Sequence, residues 1–217
     1  MGTVVSEPTK KKTTTLSPAV WVWLALLAGL GAAFLVDSSV MALLKPLRDS
    51  ELTHLLHHTV RMLGVGYVQA VVLLLLVLGG WAMRRPRALA AGGWALLALA
   101  ASGALANILK VLVHRPRPWV TLPPPDSWLG YVRVHEFQSF PSGESTTTFA
   151  VAVSLSAWFP KLRVPLMTVA VAVAAARVVV GNHFPSDVWA GAMLGVAVGQ
   201  WVAHTARRRA QGADSPA

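Results

Sequence analysis

"ALAAGGWALLALAASGALANILKVLV", residues 88–113, carries a single charged side chain, Lys110, close to its end. A helix needs about 20 predominantly apolar residues to cross the hydrocarbon core of a bilayer, and this run is longer than that. Nothing in it alternates with the period of two that a barrel strand requires, so it reads as a transmembrane helix. Further apolar runs lie at 19–36, 67–83, 145–159, 165–180 and 187–204, separated by polar turns. Those at 145–159 and 165–180 are short for a full crossing and must borrow flanking residues. The expected fold is all-α, a polytopic membrane protein of six transmembrane helices. Composition agrees: 54% hydrophobic residues, 13% charged residues and a mean hydropathy of +0.55 are too apolar for an ordinary soluble domain. One membrane domain is expected over 19–206, between a basic tail, 1–18, and a second tail, 207–217.

The formal net charge of +10 admits nucleic acid or anionic lipid as partner, and its distribution decides between them. The N-terminus (Lys10, Lys11, Lys12), two turns (Arg84, Arg85, Arg87; Lys161, Arg163) and the C-terminus (Arg207, Arg208, Arg209) hold eleven basic residues. With two acids among them, that side nets +9. The other side, with eight basic and seven acidic residues, nets +1. Such segregation is a topology signal that places both termini in the cytoplasm and removes the case for nucleic acid. Trp81, Trp158 and Trp201 fall near the inner boundary, and Trp119 and Trp189 near the outer one, as interfacial anchors do. The run after Lys10–Lys12 is long for a signal-peptide core and has no clear cleavage site, so it is read as a retained span. With no cysteine, disulfides and thiolate metal sites are excluded. Residues 37–66, with Leu43, Leu44, Leu47, Leu55 and Leu56 among charges, read as an amphipathic helix lying on the membrane.

The outer-side charges are the informative ones. Lys110 and Arg177 each lie near the outer end of an apolar run, where an ionisable group costs about 2.5–3.5 kcal/mol and usually has a partner. Arg117 follows Lys110 by seven residues, with Pro116 ending the helix between them. "SFPSGEST", 139–146, opens the fourth run with a turn whose N–H groups, at Ser142 and Gly143, favour an anion. "NHFPSD", 182–187, opens the sixth, with Pro185 suited to the first helical turn and His183 and Asp187 in an i, i+4 relation. A carboxylate so placed fixes the imidazole tautomer and leaves the other ring nitrogen free to attack. Three cations and a helix N-terminus describe a phosphate site. The His–Asp couple adds a nucleophile, and the set as a whole reads as phosphoryl transfer through a phosphohistidine.

"KVLVHRPRP", "PSGE" and "ARVVVGNHFPSD" together resemble the three signature motifs of the type 2 phosphatidic acid phosphatase superfamily, K-x6-R-P, P-S-G-H and S-R-x5-H-x3-D. Lys110, Arg117 and Pro118 match the first, Pro141, Ser142 and Gly143 the second, and Arg177, His183 and Asp187 the third. The resemblance spans roughly residues 60–205. It implies a metal-independent membrane lipid phosphatase with no cofactor, in a bacterial inner membrane, its site at the extracytoplasmic mouth of the bundle. Lys110, Arg117, Ser142, Gly143 and Arg177 would hold phosphate oxygens, His183 would be the nucleophile and Asp187 its orienting partner. Two positions depart from the pattern. Ala176 replaces a serine, and Glu144 replaces the histidine that in the family protonates the leaving oxygen.

A glutamate among three cations is a carboxylate at neutral pH and a poor general acid. A phosphate monoester leaves as an alkoxide and needs a proton, whereas a diphosphate leaves as a stable phosphate. Glu144 therefore tilts the expected substrate toward a polyprenyl diphosphate such as undecaprenyl diphosphate, with Glu144 as acid or as base toward water. The alternatives are a lipid-phosphate binder of little or no activity, or a phosphatidic acid or phosphatidylglycerophosphate phosphatase; a transporter has weaker support. His114 and His135 flank the site as substitute proton donors, whereas His54, His57 and His58 read as interfacial loop residues and His204 as a helix-end residue.

Overall fold

The computed structural model describes residues 17–48 and 50–213. The expected N-terminal tail up to residue 16 and the last four residues of the C-terminal tail lie outside these, as do the side chains of His54, His57 and His58. Among the described residues there are eight α-helices and no strand. They are α1 (Pro18–Leu44), α2 (Glu51–Gly64), α3 (Gly66–Ala82), α4 (Pro86–Val113), α5 (Trp128–Arg133), α6 (Gly143–Trp158), α7 (Arg163–Val179) and α8 (Pro185–Ala213). The six apolar runs correspond to α1, α3, α4, α6, α7 and α8. Proline opens α1, α4 and α8, where its missing N–H costs nothing. Helix α4 stops at Val113 because His114 turns left-handed, at φ 52° and ψ 38°.

Helix α1 runs past the expected boundary at 36, through Asp37 to Leu44. The 37–66 segment is thus not one amphipathic helix but the end of α1, a short turn at Lys45–Leu47, and α2.

The bundle is small inside and bulky outside. Alanines 91, 95, 98, 150 and 170 are buried, whereas Trp21, Leu35, Leu75, Trp81 and Val164 are exposed. That is the arrangement of helices packed closely together with lipid around them. Segments Val20–Leu47, Pro86–Val113 and Pro160–Val179 are long and apolar enough to cross a membrane, and Gly66–Ala82 is a shorter apolar helix.

Helix α6 sits in the middle, packed most extensively on α8 and also on α4 and α7. Its neighbours shield it, so it tolerates buried Ser145, Thr146, Thr147, Thr148 and Ser154. Thr146 and Thr148 donate back to the carbonyls of Ser142 (2.8 Å) and Glu144 (2.7 Å). The α6–α8 contact depends on Gly191, Gly195 and Gly199, spaced by one turn. A Cβ at Gly195 would lie 2.3 Å from the Thr146 carbonyl oxygen, and one at Gly191 2.6 Å from that of Ser142. Gly195→Val is expected to force the helices apart at a cost of about 1–3 kcal/mol. A lower melting temperature in detergent would record it, and an unchanged one would refute so close an approach.

The antiparallel order gives the bundle two unlike ends. Arg87 donates to the Trp158 carbonyl (Nε, 2.9 Å) and Arg209 lies over the Trp94 ring (5.5 Å), so three basic segments share one end. The last turns of α4 and α7 and the first turns of α6 and α8 meet at the other.

Candidate active site

The ends of five helices, α2, α3, α4, α6 and α7, and two loops enclose a cavity of about 600 Å³ at the end away from the basic segments. Lys110, Arg117, Gly143, Glu144, Arg177 and His183 all line it. A larger cleft, about 790 Å³, opens at the basic end beside Trp81, Arg84 and Arg85, with no nucleophile in its wall.

Lys110 projects from the last turn of α4 and is 8% exposed. It faces Gly143, where a Cβ would stand 3.7 Å from Nζ. Arg117 follows on the loop. That loop is stitched across to residues 135–139 by three contacts: the Arg117 N–H to the Glu136 carbonyl (2.9 Å), Arg117 Nε to that of His135 (3.3 Å), and the Ser139 N–H to that of Arg115 (2.9 Å). Burial lowers the Arg117 pKa, and the Glu144 carboxylate chief among its neighbours opposes this, so the guanidinium stays charged. Arg177, 2% exposed, ends α7 and pairs with Glu144, its Nη1 lying 3.0 Å from Oε2. Glu144 fits because Gly64, at the end of α2, has no side chain. A Cβ there would lie 3.2 Å from the carboxylate and 2.6 Å from Val173.

His183 is placed by the turn that ends α7. Gly181 takes φ 82°, a left-handed value that glycine adopts freely, and the N–H groups of Asn182 and His183 then donate to the Arg177 carbonyl (3.0 and 3.2 Å). The imidazole is 4% exposed. Its Nδ1 faces Asp187 Oδ2 at 3.7 Å, too long for a hydrogen bond, and Ser139 Oγ lies 3.4 Å from Nδ1 and donates to the same oxygen at 2.6 Å. Nε2 is thus the ring nitrogen left to the cavity. Burial first, then the charges of Lys110 and Arg117, lowers the His183 pKa to about 4, with Asp187 opposing. The ring is neutral, and its lone pair available, at every pH well above that value.

Two sequence candidates stand off the cavity wall. Asp187 lies behind His183, fully buried. Ser142 is also fully buried, and its hydroxyl caps α6, accepting from the Ser145 N–H (3.4 Å) and the Ser145 hydroxyl (3.0 Å). What α6 offers the cavity is its first turn, where the N–H groups of Gly143 and Glu144 have no acceptor within the helix. Of the flanking histidines, His135 lines the cavity, whereas His114 packs against the Trp128 and Tyr131 rings (centroids 6.2 and 4.7 Å). His204 lies at the opposite end.

Sequence reasoning missed three polar residues. Ser139 stands between His183 and Asp187. Arg115 donates to Asp187 Oδ1, and Asp37 reaches Arg115 from α1. Asp37 had a signal, since a carboxylate beside an apolar run is costly and seldom idle. Arg115 lay inside the first motif, and nothing local marked Ser139.

A family model described as the PAP2 superfamily matches residues 91–211. Lipid A 1-phosphatases of Rhizobium johnstonii and Rhizobium etli are each 36% identical over 112 residues, which is 48% of this chain and 43% and 45% of theirs. The chain thus spans less than half the length of these relatives. Among solved structures, a PAP2-type phosphatidylglycerolphosphate phosphatase of Bacillus subtilis superposes with a TM-score of 0.66 at 22% identity, covering 87% of this chain and 96% of that one. LpxE of Aquifex aeolicus superposes at 0.58 with 25% identity, covering 77% and 94%.

Proposed function

The chain belongs to the PAP2 superfamily, and from that premise we propose that it is an integral membrane lipid phosphatase working through a phosphohistidine. The observation that carries the proposal is the cavity itself. Lys110, Arg117 and Arg177 converge there with the first turn of α6 on a neutral, buried His183. His183 Nε2 attacks phosphorus, and the bond from phosphorus to the lipid oxygen breaks with its electron pair on that oxygen. Water then displaces the histidine and releases inorganic phosphate. The cations and the Gly143 and Glu144 N–H groups neutralise the charge that grows on the phosphoryl oxygens.

Glu144 narrows the substrate. Paired with Arg177, it withholds part of one cation from the ligand, and an ion-paired carboxylate is a poor general acid. That favours a leaving group that needs none, such as the phosphate of a polyprenyl diphosphate. The anomeric oxygen of a glycolipid 1-phosphate is also a better leaving group than the oxygen of a primary alcohol, and the lipid A 1-phosphatase relatives support this as the alternative. The second reading, a lipid-phosphate binder without turnover, rests on the same Glu144–Arg177 pair. Phosphate release by purified protein from a polyprenyl diphosphate, a glycolipid 1-phosphate and phosphatidic acid separates the readings. Turnover of the first two above the third is expected, and release from none would leave only the binder. Activity is expected to survive excess EDTA, and its loss would require a metal.

Six spans, with both termini cytoplasmic and the cavity facing outward, complete the proposal. The chain lacks cysteine, so Pro125→Cys and Gly212→Cys report sidedness cleanly. Residue 125 is expected to label from outside and 212 from the cytoplasm. The reverse pattern would refute the orientation.

A further inference from the structure

Asp187 is held by neighbours other than His183. Its Oδ2 accepts from Ser139 Oγ (2.6 Å) and the Phe184 N–H (2.8 Å), and its Oδ1 accepts from Arg115 Nη1 (2.6 Å). The same Nη1 donates to Ser186 Oγ (2.6 Å), while Nη2 donates to Asp37 Oδ2 (2.6 Å). Ser186 closes the circuit, giving its hydroxyl proton to Asp37 Oδ2 (2.5 Å) and its N–H to Asp37 Oδ1 (2.9 Å). The guanidinium also sits over the rings of Phe184 (4.2 Å) and Phe34 (5.0 Å). Rings hold its faces and carboxylates its edge, so it has little freedom to turn.

Arg115 and Asp37 are not on the cavity wall. Asp37 belongs to α1, outside the stretch that the family model matches. Helix α1 packs mainly on α8, where its other polar tie is the Trp189 indole N–H donating to the Leu26 carbonyl (2.9 Å). The first helix therefore reaches the centre of the site through one carboxylate.

We infer that Arg115, held by Asp37, is a positioning residue that fixes Asp187 and, through the Ser139 hydroxyl between them, the tautomer and angle of His183. This rests on the phosphatase reading above. With both Asp187 oxygens saturated, the carboxylate cannot rotate, and the imidazole keeps Nδ1 toward it and Nε2 toward phosphorus. Without the guanidinium, Asp37 and Asp187, both buried, have no cation between them. Lysine keeps the charge but cannot bridge two carboxylates from one rigid fork.

A plain structural clamp would make some of the same predictions for stability, so the test separates stability from chemistry. In micelles of the best substrate, Arg115→Lys and Arg115→Gln are expected to lower kcat about 10- to 1,000-fold with KM within about threefold of the parent. Adding Asp37→Asn to Arg115→Gln removes the unpaired buried carboxylate and should restore most of the melting temperature, but not kcat. Spectra of ¹⁵N-histidine-labelled protein, with His183 assigned from the His183→Gln variant, supply a readout free of turnover. The parent should show one tautomer, protonated at Nδ1, and Arg115→Gln a mixture. Recovery of kcat together with stability in the double variant, or an unchanged tautomer in Arg115→Gln, would overturn the inference. A parent with no turnover on any substrate but with the tautomer shift intact would count against the phosphatase reading and leave the positioning role standing.

Discussion

His183→Ala is expected to abolish phosphate release while the protein still folds and extracts as the parent does. The ring is buried against Ser139 and Asp187 rather than among the apolar contacts of the bundle, so its loss removes a nucleophile and little packing. The three cations should follow in a definite order. Removing one preorganised donor to a developing oxyanion costs about 10²–10³ in rate, and Lys110→Ala and Arg117→Ala should fall at or above that range. Arg177→Ala should cost most, because it also leaves the Glu144 carboxylate without the cation 3.0 Å away. The pH dependence follows from His183. Its pKa is lowered to about 4, so the nucleophile is neutral above that value and lost only as pH falls through it. Activity on a diphosphate is therefore expected to hold from neutral pH down to about pH 5 and to collapse near 4. A collapse near 6.5, the ordinary histidine value, would mean that the ring is more exposed than the fold makes it. Normal turnover in His183→Ala would reject the phosphohistidine route altogether.

Most of this site could be read in the chain because its parts lie within short helix-terminal stretches. Lys110 and Arg117 bracket the end of α4, and His183 and Asp187 bracket the start of α8, where proline marks the first turn. What local spacing does not encode is contact between distant stretches. Ser139 meets Asp187 across 48 residues, Arg115 meets it across 72, and Asp37 meets Ser186 across 149. The same blindness shortened α1. Asp37 looks like the end of an apolar run because a lone carboxylate is costly there. Arg115 and Ser186 satisfy it, and the helix continues to Leu44. Ser142 shows a different limit. It sits in the turn that the sequence marked, yet its hydroxyl serves the helix cap, and Gly143 beside it lines the cavity. The shortness of the 145–159 run has a physical reason too. A helix enclosed by α4, α7 and α8 needs less apolar length than one facing lipid.

Glu144→His is expected to raise turnover of a phosphate monoester at neutral pH by a larger factor than turnover of a diphosphate. An alkoxide leaving group needs a proton that a carboxylate paired with Arg177 does not give, whereas a phosphate leaving group needs little help. Supplying an imidazole at this position should therefore recover part of the 10²–10⁴-fold typical of general acid catalysis, chiefly on the monoester. Glu144→Gln separates the remaining roles. It abolishes the charge of the ion pair without supplying an acid or a base, so Arg177 is wholly available to the phosphate. If Glu144 activates water, the variant should accumulate phosphohistidine, trapped by rapid denaturation with ³²P-labelled substrate. If the carboxylate only restrains Arg177, the variant should bind phosphate more tightly and build up no intermediate. A Glu144→His variant that gains nothing on either substrate would mean that the acid site lies elsewhere. His135, on the same cavity wall, is then the residue to replace, and its substitution should remove the monoester activity that remains.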